Sequence, residues 1–168
     1  MKKIAYNIER WHFKAIEGFF LLSFDSFSQE QNYSEFEYSI LAEGNDSPFE
    51  NYQVVCFNKY FNLEQLPTEF REKYDLANRQ HFKKKMLVQL FYIDTEKRGL
   101  DKFVFSEIKE NPNEIVFDYS LVNSDITNDS TAQSPFLIIQ IPKNTKKRIR
   151  FIANGEELGN GQYMYINK

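Results

Sequence analysis

Two runs of alternating side chains joined by a short turn constrain this chain most. Phe103 and Phe105 alternate with polar neighbours up to Lys109, Asn111-Pro112-Asn113 intervenes, and Ile115, Phe117, Tyr119 and Leu121 then alternate with Val116, Asp118 and Ser120. Successive side chains of a strand point to opposite faces, so each run has an apolar face, and a turn this short lays the second run against the first. The pattern predicts an antiparallel hairpin. A helix would scatter the same residues around its circumference.

Other segments follow the same two-residue period. Phe36, Tyr38, Ile40 and Ala42 alternate with Glu35, Glu37, Ser39 and Leu41, which predicts a strand with an aromatic inner face and a largely acidic outer one. Ile149 and Phe151 alternate with Arg148 and Arg150. Tyr52–Phe57, Met86–Ile93 and Phe136–Ile141 are continuous apolar runs that read as buried strands. Trp11–Phe24 reads as one or two strands bent near Gly18, and Tyr163–Ile166 as a last short strand. Gly44–Pro48 and Asn154-Gly155 are turns by composition. Aromatic residues make up 17% of the chain, which suits pleated, half-buried surfaces.

One region departs from this period. Leu63, Leu66, Phe70 and Tyr74 share a helical face, with Asn62 placed to cap the start, Pro67 to interrupt, and Thr68 to cap a second piece. The chain of 168 residues therefore reads as a single domain over 1–168 of α+β, mostly antiparallel β class, with about eight or nine strands and one main helical region. The strand–helix alternation of a Rossmann-type sheet is missing.

Reactive side chains are few. Cys56 is the lone cysteine and lies in an apolar strand, where a thiol usually behaves as a small hydrophobe. The two histidines, His12 and His81, show no ligand spacing, so no metal or other cofactor is expected. The glycines of 155–161 fit no phosphate-binding pattern. A hydrolase would have to pair Cys56 or a carboxylate with His12 or His81. The run Phe19–Leu22 is too short to span a membrane, and Asn7, Glu9 and Arg10 interrupt the apolar stretch a leader would need, so a cytoplasmic, bacterial-type protein is expected.

Charge is unevenly spread. Residues 1–75 hold 7 Lys+Arg against 13 Asp+Glu, residues 76–168 hold 14 against 11, and no Lys or Arg occurs between Ala15 and Phe57. Glu35, Glu37, Glu43, Asp46 and Glu50 fall in that acidic stretch and are the candidate contacts for a basic protein partner. Lys143, Lys146, Lys147, Arg148 and Arg150 form a basic strand that offers a nucleic-acid alternative, against which the pI near 5.5 argues.

The order of Cys56-Phe57, Leu63-Glu64-Gln65-Leu66, His81–Leu87, the hairpin about Asn111–Asn113 and Pro135–Lys143 resembles the PrcB-like family, named for a bacterial protease-complex subunit, across residues 56–152. Where that family has a Gly-Gly-Tyr-like turn, this chain reads Arg98-Gly99-Leu100-Asp101. The resemblance implies a β-rich binding module that supports another protein, and no catalytic residues. The expectation is a non-catalytic interaction module that inhibits its partner, as an immunity protein does a toxin, or stabilises it.

Overall fold

A computed structural model describes residues 33–124, 131–160 and 162–163. The chain divides into the units Met1–Glu30 and Gln31–Lys168, and the fold below is that of the second. The strands expected within Trp11–Phe24 lie outside the described residues, as does His12.

Among the described residues, ten strands form two five-stranded sheets. Sheet A runs β1 (Ser34–Glu35), β5 (Lys102–Glu110), β6 (Glu114–Val122), β8 (Arg148–Ala153), β9 (Glu156–Asn160). Sheet B runs β10 (Gln162–Tyr163), β3 (Asn51–Cys56), β4 (Lys85–Tyr92), β7 (Phe136–Pro142), β2 (Ser39–Gly44). The fold is mostly antiparallel, as the sequence predicts. Two pairings are parallel, β6 with β8 and the short β10 with β3.

The predicted hairpin is β5–β6, with Phe103 opposite Leu121 and Ile108 opposite Phe117. Its register shifts between Phe105 and Glu107. That bulge keeps Ile108 on the same inner face as Phe103, although the two residues are an odd number of positions apart. Asn154 and Gly155 both have positive φ, 52° and 83°, the geometry of the tight turn that joins β8 to β9.

The core has two layers. Val55, Met86, Val88, Leu90, Leu137, Ile139 and Ile141 of sheet B meet Phe103, Ile115, Phe117, Tyr119, Ile149 and Phe151 of sheet A. On its other face, sheet B contributes Val54, Cys56, Leu87, Phe91, Phe136 and Ile138, which pack beneath Phe61, Leu66, Phe70, Leu76 and Phe82. Sheet B is therefore buried on both sides, which is why β4 and β7 read as unbroken apolar runs.

The covering layer contains α1 (Tyr60–Gln65), α2 (Thr68–Lys73) and a single 3₁₀ turn (Arg79–Phe82). Pro67 separates the two helices as expected, standing at the N-cap of α2 with φ −54° and ψ 141°. The expected start is corrected: α1 begins at Tyr60, whose N–H is held by the Asn58 side chain at 3.0 Å. Asn62 is not a cap but a buried residue within the helix, and Leu63 is exposed while Phe61 faces the core.

Candidate functional site

The acidic stretch does not form one strand face. The chain pairs with sheet A at Ser34–Glu35, leaves it over Phe36–Tyr38, and joins sheet B from Ser39. Glu35 thus sits opposite Lys109 at the margin of sheet A, whereas Glu43 sits opposite Leu137 on the edge strand of sheet B. Glu37 lies exposed in the crossover between them. Glu50 precedes β3, which β4 and β7 separate from β2, and its carbonyl accepts the Ile93 N–H at 2.6 Å.

Asp46 is already committed within the fold. It accepts from Lys73 Nζ at 2.8 Å and from the Tyr74 hydroxyl at 2.7 Å. Partial burial pushes its carboxyl up, but these two donors outweigh that and hold it below the ordinary value. The contact ties the 44–48 turn to α2. Gly44 is explained by crowding at this turn, since an added Cβ would come within 2.8 Å of the Phe136 ring and 3.2 Å of Asp46 and the Tyr74 hydroxyl. Of the five candidates, Glu37, Glu43 and Glu50 are exposed and make no ion pair among the described residues.

The aromatic inner face expected for 36–42 is corrected in part. Phe36 packs against the inter-sheet core, but Tyr38 is 41% and Ile40 54% exposed. The cause is local: the β2–β7 register shifts between Ile40 and Ala42, so Leu41 and Ala42 lie against the helix-side core and Ile40 turns outward. Consecutive apolar residues at Ile40, Leu41 and Ala42 carried this signal. Tyr38 covers the flank of Phe105, ring centroids 5.5 Å apart and near-perpendicular. The result is a crossover end and edge strand on which Tyr38 and Ile40 stand exposed between Glu37 and Glu43. Among the described residues, β5 is likewise an edge beyond the short β1 pairing, with Val104 42% exposed.

The thiol and imidazole stand apart. Cys56 is fully buried, and burial pushes its pKa up even though Gln89 Nε2 donates to the sulfur at 3.0 Å. Gln89 Nε2 also lies 2.6 Å from Asn62 Oδ1, and Asn62 Nδ2 donates to the Leu76 carbonyl at 2.7 Å. These amides make Cys56 part of a buried structural cluster. His81 Nδ1 instead accepts from Gln140 Nε2 at 2.7 Å, and its Nε2 lies 3.8 Å from Asp75. A thiol held protonated and out of water is a poor nucleophile. A cavity of about 380 Å³ between the sheets, lined by Asn51, Gln53, Arg98, Tyr119 and Glu156 among others, includes neither Cys56 nor His81.

The basic strand is mostly paired. Lys147 meets Glu110, and Arg148 lies 3.8 Å from Glu157. Arg150 grips Glu157 through two nitrogens at 3.1 and 2.7 Å and reaches Glu114 at 3.2 Å. The Arg150 hydrogen bonds hold the Glu157 carboxyl below its ordinary value. Ile149 and Phe151 point into the inter-sheet core, so this strand offers no aromatic platform for bases.

Among the described residues, no helix is long and apolar enough to cross a membrane. No family model matches the chain, and neither a curated protein nor a solved structure matches it.

Proposed function

We propose that this protein is a non-catalytic interaction module that docks a basic protein segment along the β2 edge and thereby inhibits or stabilises its partner. The observation that carries this reading is the exposed pair of Tyr38, at the end of the crossover, and Ile40, on the edge strand β2, flanked by the carboxylates of Glu37 and Glu43, which form no ion pair among the described residues. An edge strand offers a row of backbone donors and acceptors to an incoming strand. Tyr38 and Ile40 supply apolar anchors, and the carboxylates select and steer a cationic partner. The bulge at Leu41 and the acid at Glu43 oppose pairing between two copies, because like charges would meet. The resemblance of residues 56–152 to the PrcB-like family supports the same kind of role.

Affinity capture from the source organism tests the reading, with the unaltered chain and the Ile40→Glu/Glu43→Lys variant compared at low and high salt. The expected result is a basic protein retained by the unaltered chain, released by salt, and bound about tenfold or more weakly by the variant. Equal retention by the two chains would remove the β2 edge from consideration.

A further inference from the structure

A second surface lies at the opposite side of sheet B, where β3 runs into α1. Here a cavity of about 350 Å³ is lined by Asn58, Lys59, Tyr60, Arg79, Phe82 and Lys83. It brings together two segments distant in sequence, the turn after β3 and the 3₁₀ turn before β4. Three of its six residues are cations. Among the described residues, none of the three forms an ion pair, whereas Lys147, just before β8, and Arg148 and Arg150 on β8 all do. A further ammonium, that of Lys143, donates to the Phe82 carbonyl at 3.4 Å. Asp75, a nearby carboxylate in sequence, is taken up by the Asn78 amide at 2.8 Å and lies 3.8 Å from His81.

Cations that a fold does not neutralise, gathered around a concavity, leave a positive potential for a ligand to satisfy. The other wall is aromatic. Phe82 is anchored in the helix-side core and leaves only 8% of its surface exposed, while Tyr60 is half-buried and presents the more open ring. The volume falls in the range of small-molecule sites, and it is too small for an extended polymer groove. One carboxylate would leave most of the charge unanswered. A phosphomonoester carries about −1.5 to −2 charges at neutral pH and matches the forked guanidinium of Arg79.

From these features we infer that the cavity between the β3–α1 turn and the 3₁₀ turn binds a small aromatic phosphomonoester of nucleoside-monophosphate size. Lys59, Arg79 and Lys83 hold the phosphate, and the ring lies against Tyr60 and Phe82. This site is separate from the β2 edge and does not depend on the docking reading.

Titration calorimetry with adenosine monophosphate, adenosine and inorganic phosphate as probes tests this on the full chain. Binding of adenosine monophosphate is expected to exceed that of either fragment by about tenfold or more, since charge-assisted bonds and stacking each contribute on that scale. Lys59→Gln/Arg79→Gln is expected to weaken binding by about a hundredfold while leaving the ligand-free melting temperature in place. Lys97→Gln/Lys102→Gln removes equal charge elsewhere and is expected to change little. Three results would overturn the inference: no heat with adenosine monophosphate, equal binding of inorganic phosphate, or equal weakening by the two double variants. The first would mean that the cavity is empty in function. The others would reduce it to an unselective cationic surface.

Discussion

The two cores that flank sheet B are built differently. The core between the sheets is aliphatic and aromatic, with Phe117 and Phe151 stacked at a centroid distance of 5.4 Å. The core beneath the helices has a polar centre, where Cys56, Asn62 and Gln89 are fully buried together with the Leu76 carbonyl. Sheets present long, regular surfaces that apolar side chains alone can fill. Two helices of six residues each cannot, and they leave loop carbonyls inside the protein. Asn62 answers this by reaching the Leu76 carbonyl, and Gln89 in turn supports Asn62. The covering layer is thus located by hydrogen bonds as well as by burial, and loss of a partner destabilises it for a different reason from the inter-sheet core.

This contrast breaks most sharply at Phe117. Phe117→Ala opens a cavity in a tightly filled layer and is expected to cost about 3–5 kcal/mol in chemical denaturation. A loss below about 1 kcal/mol would mean that the sheets are less closely packed than described. Asn62→Ala follows, at about 1–3 kcal/mol, because it strands the Leu76 carbonyl and a Gln89 donor out of water. Hydrogen exchange sharpens the point: opening should concentrate in residues 57–84 and leave β5–β6 protected.

Titration separates the buried cluster from the surface. Burial raises the Cys56 thiol, so the folded state keeps it neutral. Its contribution is fully present below the unfolded thiol value of about 8.5 and falls away as pH rises beyond it. Cys56→Ala should therefore flatten the alkaline limb of the stability curve, and a thiol reagent should label Cys56 only as fast as the helix layer opens. Asp46 acts in the other direction and more weakly. Its lowered carboxyl stabilises the fold above the ordinary carboxylate value of about 3.9, and that contribution is lost as pH falls through the folded value. Asp46→Asn should shift only the acid midpoint, slightly, since Lys73 and Asp46 are both well exposed.

Much of this architecture was legible where periodicity had one cause. Sheet A has an inner apolar face, and Ile115, Phe117 and Tyr119 showed it directly. Continuous runs in β4 and β7 marked burial on both sides, though Gln89 gave no hint of its inward amide. The failures lie where a bulge or a crossover changes the rule mid-segment. At 35–42 a single alternation spans a change of sheet and a register shift, so periodicity alone places Tyr38 and Ile40 inside. Asn62 looked like a cap because Asn residues often are, and only the position of the Leu76 carbonyl reveals its other use. Proximity in sequence groups the candidate acids together and keeps Asp46 among them, although Lys73 and Tyr74 take it up within the fold. The cavity at Lys59, Arg79 and Lys83 joins segments twenty residues apart, beyond the reach of any local pattern.

The strand order has a consequence for synthesis. β7 lies between β4 and β2, and β8 pairs with β6, so each sheet is finished by strands made after the other sheet has begun. While the chain is still growing, β4 stands with an open, apolar flank until Phe136–Pro142 has left the ribosome. A nascent chain stalled before that point would expose Met86, Leu90 and Phe91 to the cell, and it is in that interval that a chaperone would have most to hold.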